Sequence, residues 1–359
     1  MAALERHLRR LIATEGPITI ARYMAECLMH PEHGYYRHRD PLGAAGDFIT
    51  APEVSQMFGE LIGLWLADRW QAMGAPAPVR LVELGPGRGT LMTDALRAAR
   101  IVPGLADAID LHLVEANARL RAEQARRLDA TWHDRFADVP DGPLLLVANE
   151  FFDALPVHQF VRTPAGWAER VVAVSDDRLG AALAPAGAKA ALIPPSVRDA
   201  REAATVEVSP SGVALAGDIA ARMVAGGGAA LIVDYGHAVS APGDTLQAVR
   251  RHAYADVFAD PGEADLTAHV DFAQLAEAAR AAGAVTAGPV PQGTFLRALG
   301  IEVRAARLAT AADPAQRAGI EQAVARLTDA DQMGALFKVM AILPPDSDTP
   351  PGFEEPAHG

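Results

Sequence analysis

The chain has one cysteine, Cys27, in 359 residues. That excludes an intrachain disulfide and a thiolate metal cage, and it fits a reducing compartment. The first ten residues, MAALERHLRR, contain no apolar core of the ~7–15 residues that a secretory signal requires; a transit peptide stays open, with Glu5 weighing mildly against it. No apolar run approaches the ~18 residues of a membrane span. A cytoplasmic protein without a membrane span is expected. Positive charge is short as well: 32 basic against 45 acidic side chains leave a formal net charge of −13, and basic residues gather only in pairs such as Arg126–Arg127 and Arg250–Arg251. Such a balance opposes phosphate backbones, so no nucleic acid partner is expected. No zinc signature, nucleophile elbow or phosphate loop with its lysine occurs, and no metal site is expected. Internal repeats are absent too.

Apolar residues are plentiful, at 50% of the chain, enough for two domains or for one large α/β domain with insertions. Residues 1–75 read as an N-terminal helical segment carrying a lid loop. Thr19 is placed to cap a helix bearing Ile20, Met24 and Leu28, and HPEHG stops it. A longer helix over about 51–73 presents Val54, Met57, Phe58, Leu61, Leu64 and Trp65 on one face and ends at Gly74. From residue 79 short apolar runs alternate with amphipathic segments: VRLVELG, TLMTDALRAAR, IDLHLVEAN, ARLRAEQARRL, LLLVANE, then AALIVDYG and LFKVMAIL. That order predicts an α/β fold with a mostly parallel, Rossmann-like sheet spanning 76–343. It is interrupted by an insertion at about 162–215, with a hairpin-like WAERVVAV, and by helical segments at about 262–330. The Pro-rich acidic tail, 344–359, is expected to be disordered.

LVELGPGRGT, residues 81–90, sets Gly85, Gly87 and Gly89 between a strand and a helix, where backbone amides face outward and a ligand can approach. A tight strand-to-helix turn is the plainer account. The dinucleotide fingerprint needs its third glycine five positions after the first; here it comes four after, with Glu83 two positions before the first. Glu83 suits a cationic amine better than a pyrophosphate. Glu115, at the end of the second strand and 30 residues after Gly85, is of the type that accepts ribose hydroxyls. Together these residues favour S-adenosylmethionine as the cofactor.

Two further stretches carry polarity. GDFITAPEVSQMFGE, residues 46–60, contains a Thr50–Glu53 capping-box pattern, preceded by a glycine-rich loop ending in Asp47 that could close over a cofactor. VANEFFDALP, residues 147–156, puts Asn149 and Glu150 at the carboxyl end of the expected fourth strand, where open parallel sheets bind ligands. Phe151 and Phe152 are read as either core or site. His237 and His269 read as structural or surface residues.

GYY at 34–36, GDFITAPEVSQMFGE, LVELGPGRGTLM, HLVEAN, NEFFDALPVHQF, LIVDYG, GDTLQAVRRH, ADLTAHVDF and LFKVMAI recur in order from residue 34 to 342. In these pieces the chain resembles the MidA-like family of S-adenosylmethionine-dependent methyltransferases, relatives of a mitochondrial complex I assembly factor that is a protein arginine methyltransferase. The resemblance implies a class I methyltransferase fold with Glu83, Gly85, Gly87, Gly89 and Glu115 around the cofactor, and Asp47, Asn149, Glu150 and Asp153 bordering the cofactor and acceptor site; by their chemistry Asn149, Glu150 and Asp153 are read as the catalytic residues and Asp47 as a cofactor residue. It also implies a protein substrate, in particular an arginine of a complex I subunit, and leaves a homodimer open. A small-molecule N- or O-methyltransferase and a non-catalytic cofactor-binding assembly factor are the alternatives.

Overall fold

The computed structural model describes residues 2–38 and 50–354, which fall into two units. Asp47 and the glycine-rich loop before it lie outside the described residues.

The first unit takes its described residues from 1–48, 152–215 and 239–275. Helix α1 (Ala3–Glu15) buries Leu4, Leu8 and Ile12, an i, i+4, i+8 stripe. Thr19 caps α2 (Ile20–Met29) as expected, its side chain accepting from the Arg22 N–H at 3.0 Å. The segment read as an insertion forms an antiparallel sheet, in which Gly166–Ser175 pairs along one edge with Arg178–Pro185 and along the other with His158–Thr163 and the short Ile18–Thr19 strand. WAERVVAV is therefore an interior strand, whose Val172 packs with Leu8, Ile20 and Met24 in one core. Sequence periodicity could not join these pieces, because their pairing spans about 150 residues of chain.

The second unit takes its described residues from 49–151, 216–238 and 276–359. The single long helix expected from residue 51 is two: α3 (Ala51–Val54) and α4 (Gln56–Ala72). Between them Ser55 is extended, at φ −162° and ψ 140°, and its hydroxyl caps the Met57 N–H. The Thr50 side chain makes no capping bond. Glu53, its expected partner, instead accepts from the Thr90 hydroxyl at 2.6 Å. Leu64, assigned to the apolar face, is partly exposed.

Seven strands of this unit run in chain order as β1 (Val79–Leu84), β2 (Ile109–Val114), β3 (Thr131–His133), β4 (Leu144–Asn149), β5 (Gly228–His237), β6 (Val285–Pro291) and β7 (Phe337–Leu343). Across the sheet they lie in the order β3-β2-β1-β4-β5-β7-β6. The first five are parallel, and β7 is antiparallel to both neighbours. This is the class I fold that was expected: a doubly wound sheet reversing between β1 and β4, with one antiparallel strand slipped in near an edge. Leu81, Leu145, Leu231 and Val339 bury one face against α4, which supplies Phe58, Leu61 and Trp65. The reversal places the carboxyl ends of β1 and β4 side by side, with nothing of the sheet crossing between them.

The tail departs from expectation as far as residue 354. Phe353 is buried against Phe295, their ring centroids 5.3 Å apart, and the Trp65 indole donates to the Pro351 carbonyl at 3.1 Å. The aromatic ring outweighs the proline-rich, acidic composition around it. Phe353→Ala is expected to lower stability by about 3 kcal/mol, the low end for a lost phenylalanine because the site lies near the surface. Urea unfolding followed by circular dichroism measures this, and an unchanged midpoint would contradict the packing role.

Candidate active site

The glycine loop leaves β1 and enters the helix Thr90–Ala99 through three left-handed residues, Gly85, Gly87 and Gly89, at φ +63°, +53° and +75°. Side chains other than glycine rarely adopt that region. Space is short as well, because a Cβ on Gly85 would stand 2.8 Å from Cδ2 of Phe151. The loop is pinned from outside: the Gln124 amide donates to the Gly87 carbonyl at 2.7 Å, while its oxygen accepts from the Trp132 indole at 2.7 Å. The peptide is thus held open and rigid, with Gly85 donating to the Val114 carbonyl at 3.0 Å.

Glu83 and Glu115 stand on either side of this loop's origin, both buried. Burial pushes the Glu83 carboxyl up to about 8, and the Glu115 carboxylate adds to the shift. Burial likewise raises Glu115 to about 7, opposed chiefly by the Asn117 N–H, which donates to it at 2.7 Å. Two carboxyls crowded out of water in this way await a positive group and hydroxyl donors. Glu83 Oε2 is a buried acceptor with no hydrogen-bond partner among the described residues. So is Asn149 Oδ1, at the end of β4. Orphaned acceptors and a cradle that a Cβ would fill are what an ammonium-bearing nucleoside requires, so these residues fit S-adenosylmethionine.

The NEFFD stretch divides in two. In the second unit, Glu150 sits at φ +50°, a strained position for a residue with a side chain. Its Oε1 accepts from the Asn149 amide at 3.2 Å and from the Ala51 N–H at 3.0 Å. Glu150 thus also fixes the start of α3. Phe151 covers Gly85, and its N–H donates at 3.1 Å to the fully buried Asp234, which accepts the Tyr235 N–H too. Asp153 falls in the first unit with Tyr36, whose hydroxyl is raised well above its usual range by burial, with Asp265 and then Asp153 adding to the shift. Tyr36 donates to Asp265 at 2.8 Å.

Reading by sequence missed Gln124 and Asp234 as residues that hold the loop and the NEFF stretch in place. Asp234 was legible only as an acid ending a strand. Its function as a backbone acceptor depends on β5 lying beside β4, with Val233 opposite Asn149.

Residues 61–290 match the family model described as "Putative S-adenosyl-L-methionine-dependent methyltransferase". The chain belongs to this family. Similarity to curated relatives runs over nearly its whole length. The rat protein arginine methyltransferase NDUFAF7, mitochondrial, is 41% identical over 94% of this chain and 84% of its own. The human protein of that name is 39% identical over 94% and 83%. A Burkholderia thailandensis protein solved with S-adenosyl-homocysteine bound matches with a TM-score of 0.85 at 30% identity, covering 99% of this chain and 95% of that one. The cofactor of this methyltransferase is S-adenosylmethionine, as the glycine spacing and Glu83 predict. No helix among its described residues is long and apolar enough to cross a membrane.

Proposed function

We propose that this methyltransferase modifies a protein arginine, on a subunit of respiratory complex I or of its bacterial counterpart, in the cytoplasm. The observation that carries this reading is the near full-length identity with proteins named protein arginine methyltransferase. Bound S-adenosylmethionine supplies a methyl group made electrophilic by its sulfonium. Glu83, Glu115, Gly85, Gly87 and Gly89 hold it, with Asp47 retained as a cofactor residue on the family resemblance.

An arginine acceptor stays charged at any working pH, so it must be gripped by groups that fix its planar fork and turn one nitrogen toward the methyl. Asn149 Oδ1, a buried acceptor with no hydrogen-bond partner among the described residues, is suited to an acceptor N–H. Glu150 supplies negative charge for the guanidinium, and Asp153 is retained as a catalytic residue on the family resemblance. The Glu150 carboxylate is held by Asn149 and Ala51, which limits its freedom and favours a single orientation.

The test is methyl transfer from labelled S-adenosylmethionine to complex I subunits taken from cells lacking this protein, read by mass spectrometry. Methylarginine at a defined site supports the proposal; methylation only of small molecules, or none, removes it. Glu150→Gln is expected to lower turnover about tenfold through poorer orientation of the acceptor, with cofactor affinity nearly unchanged. Full activity in that variant would remove Glu150 from the acceptor's contacts. A homodimer remains a further expectation, to be read by light scattering.

A further inference from the structure

Three side chains of the first unit converge outside the cofactor region. His7 projects from α1, Glu26 from α2, and His30 stands at the C-cap of α2. One ligand-type atom from each lies within 4.8 Å of the others. His7 Nε2 is a buried nitrogen with no hydrogen-bond partner among the described residues, although Glu26 Oε2 is only 3.4 Å away. The two atoms are close but not aligned to share a proton. Arg22 occupies the other carboxylate oxygen, Oε1, at 2.8 Å and leaves Oε2 facing the imidazoles. The His30 ring meets the His7 ring edge-on at 4.8 Å, and the His33 ring stacks on His30 at 5.1 Å.

The geometry points to a divalent transition-metal site, best suited to zinc, with His7, Glu26 and His30 as ligands. Two imidazoles and a carboxylate are a zinc donor set, and three protein ligands leave a fourth position for water. Ligands at about 2.1 Å on a tetrahedral ion stand about 3.4 Å apart, which is the separation already present between His7 Nε2 and Glu26 Oε2. His30 has to close by up to about 1.4 Å, from a spread of at most 4.8 Å. Its Nδ1 accepts from the Glu32 N–H at 3.2 Å. His7 Nε2 and Glu26 Oε2 face each other without a hydrogen bond between them, and an ion placed between the two would satisfy both. An ion there would tie α1 to α2 and rigidify the start of the chain. The i, i+4 pair Glu26–His30 is visible in the sequence, but His7 joins it only once α1 folds against α2.

The experiment uses untagged full-length protein stripped with chelator and titrated calorimetrically with zinc chloride. One zinc per chain is expected, together with a zinc-dependent rise in melting temperature. His7→Ala and His30→Ala should each weaken binding at least about tenfold and remove that rise, since even partners of metal ligands cost that much when lost. Circular dichroism and S-adenosyl-homocysteine binding verify that the variants fold, and His7→Gln and His30→Gln replace either alanine variant that does not. Lack of stoichiometric uptake by the wild type overturns the site. Uptake unaffected by either His7→Ala or His30→Ala overturns it equally.

Discussion

Gly85→Val is expected to weaken S-adenosylmethionine binding by on the order of 10²- to 10³-fold while leaving a folded protein. The valine would have to hold φ +63°, where a β-branched residue is strained by about 1–3 kcal/mol, and its Cβ would meet the Phe151 ring at 2.8 Å. Displacing a packed ring adds about 1–3 kcal/mol. The loop can relieve both by collapsing into the space meant for the cofactor, so the loss falls on binding more than on the fold. Calorimetry with S-adenosylmethionine, paired with a melting curve, separates the two. Binding within threefold of wild type would show that the loop is only a turn.

Glu83→Gln should lower affinity for the cofactor about 10- to 100-fold, the worth of a buried charge-assisted hydrogen bond, while the cofactor-free protein becomes less sensitive to alkali. The sign follows from the raised carboxyl. With a folded value of about 8 against an ordinary 4.5, the protonated form is favoured by the fold. Its contribution to stability is therefore complete below about pH 4.5 and is lost as pH rises toward and through 8. Wild-type protein without cofactor should melt at a lower temperature at pH 9 than at pH 7, and the glutamine variant should show less of that fall. A cationic ligand reverses the balance by favouring the carboxylate, so wild-type affinity should increase between pH 6 and 8 with release of a proton. Calorimetry in buffers of different ionisation enthalpy reads that proton directly. Affinity flat with pH, or retained in Glu83→Gln, would separate Glu83 from the ammonium.

Local chemistry was readable from the chain because it is written over short distances. Glycine spacing, Glu83 before the loop and Glu115 at the next strand end all belong to consecutive strand and helix units, and the sheet order then follows from how such units wind. What escaped depends on neighbours far apart in sequence. Gln124 reaches Gly87 across 37 residues, and Asp234 reaches Phe151 across 83. The Thr50–Glu53 pattern matched a capping box, yet Thr90 offered Glu53 a better partner once the two helices met. Phe353 gave no periodic signal, being one aromatic in a proline-rich tail, and only the space beside Phe295 gives it a place.

Phe151 has a consequence for how this chain can vary. It packs on Gly85 and is held by Asp234, so the cofactor loop, the NEFF stretch and the VDYG strand end meet in one contact. A substitution in any of these three motifs changes what the other two tolerate. They should therefore drift together through descent, and a graft of one motif from a distant relative would need the other two to travel with it.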